Sequence, residues 1–201
     1  MARSTRESIL TAAAELMRRK GYAAVGMKDV AAASGAPIGS LYHHFRGGKV
    51  QIACEALVNA GTAYGLLIPA IVDGYTDLGD AVEGIFRQAA DDMAGTGFAN
   101  MCAVASVAAE VADTVEALRT TSAEVFTGWI EDGTAYFVAR GLDPSQAREL
   151  TLALISALEG AFVLARTLRS VDPLLAVGAA LAPRYRGVAL APRSAVAVGA
   201  G

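Results

Sequence analysis

Two short helical patterns separated by Ser34-Gly35-Ala36-Pro37 constrain this chain more than any other stretch. Gly35 can take a left-handed backbone without the clash that a Cβ brings, and so can end a helix. Pro37 suits the first turn of the next helix, where its missing N–H is no loss. From Ile38 the spacing predicts about two helical turns, with Leu41 and Phe45 four apart on an inner face. Ile38, Gly39, Ser40, Tyr42 and His43 then lie on the outer side. That face carries small, hydroxylic and imidazole groups and no acid, which suits contact with a nucleic acid. Residues 27–33, with Val30 and Ala33 turned inward, read as the first helix of a helix-turn-helix. Such a unit lays its second helix in the major groove.

Charge supports that reading. In residues 1–50, Arg3, Arg6, Arg18, Arg19, Lys20, Lys28, Arg46 and Lys49 stand against Glu7, Glu15 and Asp29. The net of +5 leaves −8 for the rest of a chain whose total is −3. An acidic total argues against nucleic acid only if the asymmetry is ignored, because a basic head supplies a local footprint for phosphates.

The 201 residues allow a small head and a larger body, and a hydrophobic content of 54% is enough for a sizeable core. No uninterrupted apolar run reaches the ~18 residues of a membrane span; the run 150–165 holds Glu159. The N-terminus is polar and basic, without the apolar centre of a signal peptide. Cys54 and Cys102 are too few for a disulfide framework, so free thiols and a cytoplasmic setting are expected, with a redox pair between them as the alternative. There is no G-x-S-x-G, no glycine-rich phosphate loop and no metal-ligand spacing. His43 and His44 are adjacent on a helix and diverge, as do Asp91 and Asp92. No enzyme, cofactor or metal is expected.

Along the chain, Ser4 and Glu7 form a capping-box pattern for a helix over 5–20, with Ile9, Ala13, Leu16 and Met17 as its buried stripe and Gly21 just past its end. A long helix is expected over 49–72, interrupted or kinked by Gly61, Gly65 and Pro69. Further helices are expected over 78–93, 101–110, 115–139, 144–168 and 172–182. Asp143-Pro144 and Asp172-Pro173 are the start signals of the last two. Ala153, Ala157 and Ala161, with Gly160, make a small-residue seam flanked by Leu150, Leu154, Leu158 and Phe162. This seam is either core or a contact between copies. From Pro183 the chain is low-complexity Ala, Gly, Val, Pro and Arg, and reads as a disordered tail.

At residues 26–57, GMKDVAAASGAPIGSLYHHFRGGKVQIACEAL resembles the DNA-binding segment of TetR-family transcriptional regulators. The SGAP-x-GSLYHHF-x-GGK wording is similar to the LmrA/YxaF-like subgroup, and Met101-Cys102-Ala103-Val104-Ala105 adds a shorter likeness. The resemblance implies an all-α fold: a three-helix head at 1–48 and a helical ligand-binding and dimerisation body at 49–182, with 183–201 left as tail. It implies a homodimer on a palindromic operator, released when a small ligand binds, with the last two helices forming the dimer contact.

Two positions depart from the pattern: relatives tend to carry Ser or Thr at Gly26 and a polar residue at Ile38. Ile38 can pack on a thymine methyl but cannot donate to guanine. The expected DNA contacts are Lys28, Pro37, Ile38, Gly39, Ser40, Tyr42, His43 and Lys49. Of these, Tyr42, His43 and Lys49 would be phosphate anchors and Lys28 would stand in for the missing hydroxyl at position 26. His44 is expected to be structural. Phe86, Phe98, Met101, Phe126, Trp129 and Phe162 are the large side chains expected to line a body cavity. With few charges among them, they point to an apolar or aromatic effector. The competing readings are a DNA binder without a ligand, a small all-helical enzyme and a protein-docking module.

Overall fold

The computed structural model describes residues 4–99 and 101–192. Its helices are α1 (Thr5–Lys20), α2 (Met27–Ser34), α3 (Ile38–His44), α4 (Gly48–Gly65), α5 (Leu67–Val72), α6 (Leu78–Gly95), α7 (Ala103–Val111), α8 (Glu116–Ala139), α9 (Pro144–Leu168) and α10 (Asp172–Leu181), followed by a 3-10 turn, Ala182–Tyr185. Among the described residues the only extended pairing is the isolated antiparallel bridge between Asp77 and Ala189, so the expected all-α class holds. The chain divides into two compact units, Met1–Tyr64 with Thr96–Gly128, and Gly65–Gly95 with Trp129–Gly201. That division does not follow the expected boundary at residue 48.

In the first unit, α1 opens with the predicted capping box. The Glu7 N–H donates to Ser4 Oγ and the Ser4 N–H donates to Glu7 Oε2, at 3.3 and 2.9 Å. Ile9, Leu10, Ala13 and Met17 form its interior stripe. Losing the Ser4 hydroxyl leaves a helical N–H without its acceptor; Ser4→Ala is expected to cost about 1 kcal/mol in urea unfolding. At the start of α2, Gly26 has no side chain to cap with, and Asp29 Oδ2 takes the Gly26 N–H at 2.7 Å instead. That is one half of a capping box, supplied by the third helical residue. Gly35 closes α2 at φ +69°, the left-handed conformation expected of it. Val30 is interior, whereas Ala33 is exposed, contrary to expectation. A helix as short as α2 has one covered stripe, and Ala33 falls off it. Leu41 and Phe45 are both fully buried.

The expected interruption of the long helix falls at Leu66, between α4 and α5. Pro69 then sits in the first turn of α5, where no N–H is needed.

The second unit is built on α6, whose Leu78, Ala81, Val82, Ile85, Phe86 and Met93 are interior. α10 packs against it through Gly178, where a Cβ would lie 2.8 Å from Phe86 Cβ. α9 starts as predicted, with Asp143 Oδ1 accepting the Ser145 N–H at 2.9 Å and Pro144 in the first turn. Its seam is split. Leu150, Leu154 and Ala161 are buried, Ala153, Ala157, Leu158 and Phe162 are half-buried and Gly160 is exposed; beside the seam, Leu152, Val163, Leu164 and Leu168 are exposed.

The expected tail needs correction as far as residue 192. Tyr185 and Leu190 are buried, the Leu78 N–H donates to Val188 O and the Leu190 N–H to Thr76 O. The Gly187 N–H donates to Asp77 Oδ2 at 2.7 Å. Composition argued for disorder, but two apolar anchors and backbone pairing make residues 186–192 a strap on this unit. The remainder, 193–201, lies outside the described residues.

Arg140 holds the far end of the strap. Its guanidinium, almost wholly buried, donates to Ala191 O at 2.7 Å, Asp73 Oδ1 at 2.6 Å and Tyr136 Oη at 2.7 Å. The Tyr136 hydroxyl donates in turn to Asp73 Oδ1 at 2.7 Å. Burial first, and then that bond to a carboxylate, push the Tyr136 phenol up to about 12 from an ordinary 10.0. The fold therefore favours the neutral phenol. This contribution is complete below pH ~10 and disappears as pH rises through about 12. Titration of tyrosinate absorbance should show a late step that is lost in Tyr136→Phe.

Candidate nucleic-acid interface

The candidate DNA contacts all lie in the first unit, on α2, on or beside α3, and in the first turn of α4. Pro37 leads into α3 with φ −57° and its carbonyl accepts the Ser40 N–H at 2.8 Å. The buried pair Leu41 and Phe45 fixes which side of α3 faces in, and everything between them faces out. Ile38 is 42% exposed and Tyr42 56% exposed. Pro37, Gly39 and His43 are exposed and Ser40 is half-buried. Around Gly39 a Cβ would meet nothing within 4 Å, so the backbone there is open to close approach. Lys28, on α2, is also exposed. His44, expected to be structural, is exposed; its ring lies edge-on to His43 at 5.2 Å and to Phe45 at 6.3 Å.

Lys49, in the first turn of α4, is half-buried. Its ammonium donates to Ala23 O at 3.3 Å and stands 4.1 Å from the Tyr22 ring centroid. It braces the turn between α1 and α2 and is not simply held out to solvent. The first turn of α4 is further tied by the Gly47 N–H donating to Gln51 Oε1 at 2.8 Å. Arg6 crosses from α1 to an ion pair with Glu55 and lies 5.2 Å from the Phe45 ring centroid.

Sequence reasoning missed two partners of this head. The Tyr22 and Ala23 N–H groups donate to Glu110 on α7, at 2.6 and 2.7 Å. Arg18, buried in α1, donates to Ala99 O at 2.6 Å. Separations of 88 and 81 residues leave no local pattern from which either could be read.

The six candidate effector contacts are divided between the units. Phe98, Met101 and Phe126 belong to the first and are half-buried; Phe86, Trp129 and Phe162 belong to the second. Phe86 is wholly interior, with Gly178 against it. Phe98 follows Gly97 with φ +62°, an uncommon backbone for a bulky residue. Both cysteines are free thiols, Cys54 half-buried and Cys102 buried. Among the described residues no group of three His, Cys, Asp or Glu side chains could hold a metal ion.

Residues 9–56 match the family model of bacterial regulatory proteins of the tetR family, and residues 79–180 match the C-terminal domain of LmrA/YxaF-like transcriptional regulators. An uncharacterised HTH-type transcriptional regulator of Mycobacterium tuberculosis is 37% identical over 84% of this chain and 88% of its own length. The Bacillus subtilis regulators YxaF and LmrA are 32% and 29% identical, over 86% and 88% of this chain and 91% and 94% of theirs. Among solved structures, a TetR regulatory protein from Rhodobacter sphaeroides superposes with a TM-score of 0.77 at 24% identity, covering 90% of this chain and 98% of that one. A TetR regulator from Legionella pneumophila does so at 0.76 and 20%, covering 92% and 99%. These relatives regulate transcription and are not enzymes. With its exposed α3 face set behind a helix-turn-helix core and both segments matched, the chain belongs to the TetR family of DNA-binding transcriptional regulators, with a C-terminal domain of the LmrA/YxaF-like type.

Proposed function

We propose that this protein is a ligand-responsive repressor that works in the cytoplasm as a homodimer on a palindromic operator. A small apolar or aromatic effector releases it. The observation that carries the DNA-reading part is the α3 surface. Ile38 and Gly39 are open at its amino end with half-buried Ser40 beside them, while Pro37, Tyr42 and His43 flank them with groups able to reach the backbone. In this reading residues 1–48 read DNA and 49–182 bind the effector and the second copy. Lys28 and Lys49 contribute positive charge, Lys49 while bracing the turn at Ala23.

The exposed apolar residues Leu152, Val163, Leu164 and Leu168 on α9 and Leu175 on α10 support a homodimer. Covering such side chains with a second copy would remove apolar surface from water. By length and composition the stretches Gly48–Val72 and Pro144–Leu168 are apolar enough to cross a membrane, but an interface helix passes the same test. The reading assigns the outer face of α9 to the second copy. The effector class rests on half-buried aromatic or thioether side chains in each unit taken by itself, Phe98, Met101 and Phe126 in the first and Trp129 and Phe162 in the second.

The test begins with duplexes selected from a randomised pool by the full chain. A twofold-symmetric consensus, a dimer in sedimentation and loss of the complex on adding a compound from an apolar and aromatic panel are the expected results. An effector acts only if it binds the released form more tightly, so a complex indifferent to a broad panel would count for a constitutive DNA binder. Lys28→Ala is expected to weaken binding to all duplexes alike and to lower the salt slope by about one. Ser40→Ala and Ile38→Ala are expected instead to change the preferred bases, at about 1–3 kcal/mol per altered position.

A further inference from the structure

The turn between α1 and α2 is gripped at Tyr22 and Ala23 by two charges of opposite sign. Glu110 accepts both the Tyr22 and the Ala23 N–H, at 2.6 and 2.7 Å. Lys49 Nζ donates to the Ala23 carbonyl at 3.3 Å and covers the Tyr22 ring. Gly21 permits the approach. Its φ is +79° and a Cβ there would lie 2.6 Å from Glu110 Oε2. The turn closes with the Val25 N–H donating to Tyr22 O, buried Val25 follows, and α2 begins at Met27.

Glu110 itself sits in the last turn of α7, the end of a helix where the dipole disfavours a carboxylate. An acid at that end, pointed at two otherwise unpaired N–H groups, is placed by what it holds. A second long-range tie, Arg18 on α1 to Ala99 O in the segment before α7, does not touch the turn, which is held by Glu110 and Lys49.

We propose that Glu110 is a positioning residue for DNA binding: by clasping the α1–α2 turn it fixes the placement of the α2–α3 pair without touching DNA. The proposal rests on the DNA-reading role of α3 given above. A group that only positions should alter sequence-specific binding while leaving phosphate attraction alone. Removing an acid near a basic surface cannot itself reduce that attraction.

The experiment uses the full chain, the duplex it enriches from a randomised pool, and a scrambled duplex of equal length. Glu110→Ala is expected to weaken binding to the enriched duplex about tenfold, the worth of a lost charge-assisted pair, and to leave the scrambled duplex within about twofold. Hydrogen exchange at the Tyr22 and Ala23 amides should quicken while thermal unfolding stays close to wild type. Gly21→Ala provides the second variant. Part of its penalty is strain at positive φ and part is the collision with Glu110, so it should cost less in the Glu110→Ala background than in the wild type.

Unchanged exchange at the two amides, equal loss on both duplexes, or strict additivity of the two substitutions would each overturn the proposal. If the wild-type chain enriches no duplex at all, the DNA-binding reading fails first and the proposal falls with it.

Discussion

Phe45→Ala is expected to cost about 3–5 kcal/mol, the range for emptying a wholly buried phenylalanine, and to remove DNA binding. Phe45 has no exposed surface and caps α3, its N–H donating to Leu41 O at 2.8 Å. Seven residues of helix cannot hold themselves in water, so α3 exists because Leu41 and Phe45 are anchored. The Arg6 guanidinium near the ring adds a smaller attraction. Loss of the ring leaves a cavity beneath the surface that Tyr42 and Ser40 present on the other side. Tyr42→Ala is the control. With 56% of its surface in solvent it should change stability by less than about 0.5 kcal/mol while still weakening DNA binding. Urea unfolding followed by far-ultraviolet circular dichroism separates the two. A Phe45→Ala chain as stable as Tyr42→Ala would mean that α3 is not held by its inner face.

The helices were largely legible because their signals are local. Ser4 with Glu7 and Asp143 with Ser145 mark ends through bonds made within four residues, and Gly35 marks one by its left-handed backbone. Apolar spacing then separates Leu41 and Phe45 from Tyr42 and His43 with no further information. The outward position of the α3 candidates was legible for the same reason, since facing out of α3 follows from what faces in. Lys49 was half legible: its position at the start of α4 is local, but its bond to Ala23 O spans 26 residues. Glu110 carried no signal, since nothing in AVASVAAEV says that its last acid will meet a turn 88 residues earlier. Ala33 failed because a two-turn helix with one interior residue does not bury every apolar side chain. The strap at 186–192 failed on composition. Alanine, glycine and proline suggest disorder, while the decisive facts are Leu190 in the interior and a distant arginine waiting for Ala191 O.

That arginine gives the other large effect. Arg140→Met, which keeps the bulk and removes the charge and donors, is expected to destabilise the protein by about 3 kcal/mol, the lower end for one partner taken from a buried ion pair. The lower end applies because Asp73 keeps about a third of its side-chain surface in water and retains the Tyr136 hydroxyl. Ala191 O and Tyr136 Oη lose their donor outright. Arg140→Lys should recover little, because one compact ammonium cannot reach the four acceptors spread around the planar guanidinium. The exposed pairs of Arg186 with Asp80 and Glu83 lie on the same strap. Arg186→Ala should nevertheless leave stability little changed, since water replaces an exposed partner. Limited proteolysis supplies the local readout: cleavage within 186–192 should accelerate in Arg140→Met and scarcely change in Arg186→Ala. Equal protection in both, with unfolding midpoints matching wild type, would show that Tyr185 and Leu190 hold the strap by apolar burial alone and that the buried guanidinium adds nothing to it.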